Sequence, residues 1–270
     1  MTDINSNDTR GQVDFRGGGF SPQKIPGVAP AVFVILLCVW EAGSRLGIIT
    51  PLVLPAPSEA IIALIDLFQS GMLAQHLSAS LTRLSIGFAC GSILGVTVGT
   101  MIGLFSWPRS ALSPLVAAIF PIPKIALLPL FIIWFGIGEG SKVATILFGS
   151  FFPIVIATYG GVDSVDRNLI RMGQSFNLSR ASIIWNIILP SALPSILSGL
   201  RIGASISIIL LVAAEMIGAE YGIGAYVLLA GNLMSTDQLI GGVAILSMMG
   251  LTVSALITRV EQHFLKWRNK

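Results

Sequence analysis

RMGQSFNLSRASIIWNIILP, residues 171–190, is polar and helix-patterned, and long apolar runs flank it on both sides. Counted outward to Arg167, the segment carries Arg167, Arg171 and Arg180, three of the 16 Lys and Arg in the chain. Val165, Leu169, Met172 and Phe176 follow one another at steps of four, three and four, which draws one apolar stripe on a helix. Asp163 is placed to cap that helix, with Asp166 in the first turn facing the helix dipole. Asn177 is a natural stop, because asparagine accepts left-handed backbone better than most non-glycine residues. Ser179 then caps a second short helix reaching residue 188, and Pro190 and Pro194 restart the chain into the next apolar run. The segment predicts a helix–turn–helix with apolar faces laid on the protein and polar faces turned outward. A plain connector and a docking surface for a partner both fit that pattern.

The flanking sequence identifies the solvent. The chain has 270 residues, of which 54% are hydrophobic and 11% charged, and its mean hydropathy is +0.85. Soluble domains have about a quarter of their residues charged. A membrane span needs about 20 mostly apolar residues. Six such runs are present, near 27–46, 81–105, 112–135, 143–159, 196–214 and 239–257, the third broken by prolines. Residues 47–74 form an outer loop in which Pro51, Pro55 and Pro57 stop the first helix. Ser58 is placed to cap an amphipathic helix there, interrupted by Glu59, Asp66 and Gln69 and therefore interfacial. Residues 1–26 are polar, contain Gly17, Gly18 and Gly19, and read as a disordered tail rather than a signal peptide.

Charge placement orients the spans. Arg10, Arg16 and Lys24 precede the first, Arg109 lies between the second and third, and Arg167, Arg171 and Arg180 lie between the fourth and fifth. Arg259, Lys266, Arg268 and Lys270 follow the sixth, in a tail at 263–270, while the alternate loops hold only Arg45, Arg83 and Lys142 near their edges. The positive-inside rule then puts both termini and the 163–190 loop in the cytoplasm. The expected class is an all-α integral membrane protein with about six helices and a membrane core at 75–262.

Reactive chemistry is not indicated. Paired carboxylates, Ser/His/Asp and Cys/His constellations at a common depth are missing from the pattern. Cys38 and Cys90 read as small core hydrophobes, and His76 and His263 belong to no metal-ligand cluster. The C-terminal HFLKWRNK reads as positive-inside charge rather than a nucleic-acid patch. GIGEGSK, 136–142, imitates a phosphate loop, but Ser141 stands where GxxxxGK[ST] needs its second glycine, so it reads as a turn between spans. Candidate path residues are Pro121, Pro123 and Lys124 in the third span, Arg201 and Ser205 in the fifth, and Glu215 at its end. A charge at membrane depth faces protein or water, and proline breaks free carbonyls that need partners. Interface alternatives fit as well: Lys124 and Arg201 snorkel from the inner side, and Glu215 is a solvated helix end. Ser195, Ser198, Ser205 and Ser207, with Gly199 and Gly203, suit close helix packing.

Segment 171–190 resembles the coupling loop of importer-type ABC transporter permeases: Glu-Ala-Ala, three residues, Gly, nine residues, Ile, one residue, Leu-Pro. Aligned on Leu189 and Pro190, Ile187 takes the Ile position, Asn177 the Gly, and Arg171, Met172 and Gly173 the Glu-Ala-Ala. The back half matches, while Arg171 reverses the charge of the front. LPAPSEA (54–60), SLTRLSIGF (80–88), FPIPKIALLPLFIIWFGIGEGSK (120–142), LPSALPSILSGLRIG (189–203) and EMIGAEYGIG (215–224) are similar, in order, to the nitrate, taurine, aliphatic sulfonate and bicarbonate branch. The resemblance implies the type I importer permease (MetI-like) fold. It implies that Arg167, Arg171, Met172, Gly173, Gln174, Phe176, Asn177, Leu178, Ser179 and Arg180 dock on a separate ATPase, and that Leu189, Pro190 and Pro194 form the loop-to-helix hinge. It further implies a second permease copy and two cytoplasmic ATPase subunits that hold ATP and Mg, this chain carrying no cofactor. A binding protein would deliver a small anion at a bacterial inner membrane. The rival, a self-contained channel or ion-coupled transporter, predicts transport without ATP.

Overall fold

In a computed structural model, which describes residues 27–265, the chain is helical throughout with no strand among the described residues. The helices are α1 (Val28–Arg45), α2 (Pro57–Gln69), α3 (Met72–Leu104), α4 (Ser106–Ile119), α5 (Leu128–Phe135), α6 (Glu139–Asp163), α7 (Arg167–Ser175), α8 (Arg180–Ile183), α9 (Leu189–Met216), α10 (Ile223–Asn232) and α11 (Thr236–Phe264). The expected tail at 1–26, with Arg10, Arg16 and Lys24, and the C-terminal Lys266, Trp267, Arg268 and Lys270 lie outside the described residues.

The centre of the fold is α6, held between α3 and α9. On α3, glycine recurs every fourth residue at 87, 91, 95, 99 and 103, a row that the apolar-run reading passed over. Each glycine meets α6 at the same offset: Gly87 at Ile146, Gly95 at Ile154, Gly99 at Thr158 and Gly103 at Val162. A constant offset means that the two helices run parallel. A Cβ on Gly95 would lie 2.8 Å from the Ile154 side chain and 3.1 Å from the Phe151 carbonyl oxygen. The missing side chains let the backbones approach, and in lipid such close packing is a main source of helix association. On the other side α9 runs antiparallel: Gly199 packs on Ala157 and Ile154, Gly203 on Ile154, and Gly149 of α6 receives Leu210. Gly199, Gly203 and Ser207 are buried in that contact, as the small-residue reading expects, whereas Ser198 and Ser205 are exposed.

Parallel α3 and α6 require the chain between them to return from one end of the bundle to the other. The bent pair 106–119 and 124–135, with 93° between its halves, makes that return as one broken span. Among the described residues six crossings result, with the bent pair counted as one span, as the apolar runs predict. α3, α6, α9 and α11 are longer than those runs, because a helix continues past the hydrocarbon wherever its residues still pack. α1 touches the bundle mainly through α2: Trp40 Nε1–H donates to the Pro55 carbonyl at 3.0 Å and Ser58 Oγ donates to Glu41 at 2.7 Å. Ser58 is therefore not the cap of α2. Ala56 occupies that position, with Pro57 in the first turn, and its N–H donates to Glu59 at 3.1 Å. Cys38 and Cys90 are both exposed rather than core residues, on helix faces that a bilayer would cover.

The glycine row gives a direct test. Gly95→Val should cost roughly 1–3 kcal/mol by overpacking, read as a fall in the thermal-unfolding midpoint in detergent. Gly160→Ala, where a Cβ meets nothing within 4 Å, should leave the midpoint unchanged.

Candidate functional site

The 163–190 loop closes one end of α6 and α9. Asp166, not Asp163, caps α7: its Oδ1 accepts from the Asn168 N–H at 2.8 Å. Asp163 is the last residue of α6 and pairs with Arg109 at 2.6 Å. The far end of α7 is closed by Asn177 in left-handed backbone, φ 54°. Its N–H donates to Gln174 O at 2.9 Å, and the Leu178 N–H donates back to Gly173 O at 3.1 Å. That pair of bonds is a Schellman stop, usually built on glycine, so Asn177 stands in for the glycine of the related pattern at low conformational cost. Ser179 caps α8 through the Ser182 N–H at 3.2 Å.

The faces of α7 are reversed from expectation. Only Val165, at the loop's start, is buried, in a cluster with Val162, Ile183, Ile188, Ala192 and Ile196. The inward face of α7 is Ile170 and Gly173, where a Cβ on Gly173 would lie 2.9 Å from Ile187. Leu169, Met172 and Phe176 point away from the bundle, Met172 51% and Phe176 74% exposed, with Arg167, Arg171, Gln174 and Arg180 also at the surface. The stripe is a true helical face. Sequence periodicity identifies a face without identifying what it packs on, and here it is an apolar patch rimmed by arginines.

Pro190 and Pro194 do not restart the chain. α8, a π turn over Ile184–Ile188 and α9 form one helix, Arg180–Met216. The Leu189 N–H reaches Ile184 O, one residue further back than in an α-helix. The widened turn absorbs the donor that Pro190 lacks and the room that its ring needs. Leu189, Pro190 and Pro194 thus sit at a local irregularity within a continuous rod.

The path candidates separate into three places. Lys124 lies at the elbow of the broken span, where Nζ donates to the carbonyls of Ile119, Phe120 and Ile122 at 3.0, 2.7 and 2.8 Å and stands 4.9 Å from the Phe152 ring centroid. It satisfies the carbonyls that the break frees, so its charge is committed to the fold; Pro121 and Pro123 flank it and are exposed. Arg201 is paired with Glu261 of α11, and Ser205 bonds back to the Arg201 carbonyl at 3.1 Å. Glu215 is not a solvated helix end. It is 1% exposed at the end of the bundle opposite the loop.

Glu215 belongs to an ion cluster that the sequence reading did not assemble. Arg83 Nη1 donates to Glu215 Oε1 at 2.8 Å and to the Tyr221 carbonyl at 2.6 Å, while Nε and Nη2 grip both oxygens of Glu139 at 2.6 Å. Ser80 Oγ donates to Glu215 at 2.7 Å, and the Gly224 N–H donates to its other oxygen at 2.9 Å. Gly222, at φ 150°, passes over the carboxylate where a Cβ would lie 2.5 Å from Glu215 Cδ. His76 Nδ1 bonds the Gly222 backbone. Lys142 is buried within α6 and donates to the carbonyls of Gly138 and Gly218 at 3.0 and 3.4 Å, so GIGEGSK is the start of a span, not a phosphate loop. Arg83 and Lys142 read from sequence as loop-edge charges. The available signal was their place at the ends of apolar runs, where ionisable residues close to the membrane pair with one another.

Removing one partner from a buried pair strands the other, at about 3–5 kcal/mol. Glu215→Ala should therefore lower the unfolding midpoint steeply. Arg201→Gln breaks a partly exposed pair and should cost no more than about 1 kcal/mol in the same melt.

Comparison with known proteins places the chain in a family. The family of binding-protein-dependent transport system inner membrane components matches residues 91–270. The taurine transport system permease protein TauC of Escherichia coli K12 is 37% identical over 241 residues, 87% of this chain and 88% of its own length. The putative aliphatic sulfonates transport permease SsuC of Bacillus subtilis is 33% identical over 235 residues, 87% and 85% of the two chains. An inward-facing structure of the MetNI methionine ABC transporter superposes with a TM-score of 0.63 at 17% identity, over 73% of this chain and 97% of the transporter chain, which establishes the shared fold. With the matched helices, the broken span and the loop between α6 and α9 all in place, the chain belongs to the binding-protein-dependent transport system inner membrane components, the permease subunits of ABC importers.

Proposed function

We propose that this permease carries a small organic anion, an alkane- or aminoalkanesulfonate, inward across a bacterial inner membrane by alternating access. The substrate class rests on the taurine and sulfonate permeases that it resembles. Two copies of the chain enclose the path. Two cytoplasmic ATPase subunits bind ATP and Mg and dock on α7 and α8, and a binding protein delivers the solute from outside. Both termini and the 163–190 loop lie in the cytoplasm, in keeping with Arg109, Arg167, Arg171 and Arg180 at that end of the bundle.

The carrying observation is the outward apolar face of α7. Among the described residues nothing covers Leu169, Met172 and Phe176, and arginines surround them. Apolar anchors ringed by charge are how a docking patch obtains affinity and orientation together. The patch adjoins, across the Asn177 turn, α8, which continues into the transport core as one helix, Arg180–Met216. A displacement of α7 and α8 acts on α9, and through α9 on α6 and the far end.

Phe176→Glu puts a charge at the centre of the patch and touches no buried contact. It should weaken ATPase capture in mild detergent by about 2 kcal/mol, roughly thirtyfold. ATP-driven taurine uptake by proteoliposomes holding permease, ATPase and binding protein should fall with it. Uptake that proceeds without ATP, or capture indifferent to Phe176→Glu, would contradict this function.

A further inference from the structure

The ion cluster at the end opposite the loop is bonded unevenly. The Glu215 edge of Arg83 is sealed: both side chains are buried, and every atom touching the Glu215 carboxylate in a hydrogen bond is a donor, from Arg83, Ser80 and Gly224. The other edge of the guanidinium is held by Glu139, whose side chain is 65% exposed. Glu139 is the first residue of α6, preceded by Gly136 and Gly138, around which a Cβ would meet nothing within 4 Å. It has room to swing away. It also borders an open cleft of about 570 Å³ lined by Gln75, Ser78, Thr82, Arg83, Glu139 and Tyr221.

The charge count gives Glu139 a meaning. Arg83 and Lys142 contribute two positive charges, Glu139 and Glu215 two negative ones, and among the described residues Lys142 bonds only to carbonyls. With Glu139 in place the cluster is neutral. With Glu139 turned out to water, a buried site keeps one positive charge in excess, which is costly without a replacement anion. The vacated edge is the Nε/Nη2 fork, and that fork suits any oxyanion that presents two oxygens side by side.

We infer that Glu139 is a resident stand-in for the transported anion, and that a sulfonate group displaces it from the Arg83 fork in the cleft beside Gln75, Ser78 and Thr82. An aminoalkanesulfonate gains a second contact there, its ammonium meeting the displaced Glu139 carboxylate. Glu215 and the Tyr221 carbonyl stay fixed and keep Arg83 from following the ligand. Wild-type affinity is low because the ligand must compete with a tethered carboxylate, which suits a site that has to release what it receives. The inference rests on the sulfonate reading above and adds the place and the exchange.

The test is calorimetric titration of ethanesulfonate into the full chain in nanodiscs, without binding protein or ATPase, with unfolding midpoints recorded for each variant. Glu139→Gln removes the competing charge and keeps the shape, so ethanesulfonate should bind about tenfold tighter than to wild type, a gain of the size expected for losing one charged competitor. Thr82→Asp puts a negative charge into the cleft from an exposed position, leaving the guanidinium untouched, and should abolish binding. Ethanesulfonate that binds Glu139→Gln no more tightly than wild type, or that binds Thr82→Asp unchanged, overturns the inference. ATP-driven taurine uptake by the wild type alongside either of those results rejects the exchange site and leaves the importer reading standing. Tighter binding to Glu139→Gln without any ATP-driven uptake does the reverse.

Discussion

The contact between α3 and α6 sets the geometry of everything else. Five glycines in one row of α3 let the two helices run parallel at backbone distance, and parallel neighbours force the intervening chain to recross the bundle. The proline elbow and its lysine follow from that recrossing, since a span bent by 93° exposes carbonyls that Lys124 must answer. The same row ends at Arg83, one further step of four before Gly87. There the small side chains give way to the largest cation, and the start of α6 supplies Glu139 and Lys142 beside it. A packing motif and a charge site are thus consecutive parts of one helix face.

α6 also passes this geometry to α9 through a second set of small residues. Because α9 continues unbroken through the π turn into α8, the two ends of the bundle are mechanically one piece on that side. The end with α7 offers an apolar face that is exposed among the described residues, and the opposite end holds a buried ion cluster with one replaceable arm. An importer that receives work at one end and handles an anion at the other needs such a link. The π turn at Pro190 is where the link is softest, since its hydrogen bonds are the least regular in the rod.

Much of this was legible in the sequence. The six crossings followed from apolar length, the stop at Asn177 from its tolerance of left-handed backbone, and the start at Ser179 from its capping oxygen. Other features were not, for physical reasons. The stripe of Leu169, Met172 and Phe176 marks a helix face, but a single chain cannot say whether that face meets its own core or a partner. Pro190 and Pro194 signal a break in a regular helix, whereas a π turn accommodates them without one. Arg83, Lys142 and Glu215 looked like edge charges because each stands near the end of an apolar run; what brings them together is the register of α3, α6 and α9, which no local pattern reports. The row of glycines on α3 was readable and would have supplied that register.

Cysteine accessibility at the loop tests the central claim most directly. In a chain carrying Cys38→Ser and Cys90→Ala, a single Met172→Cys would be labelled with a membrane-impermeant maleimide, with the ATPase absent and then present. If α7 is the seat of the ATPase, labelling is fast in the free permease and strongly suppressed in the assembled complex, while a control Cys at Ser110 is unaffected. Equal labelling of Met172→Cys in the free permease and the complex would show that the exposed face of α7 remains bare, and the account of how force enters this permease would be wrong.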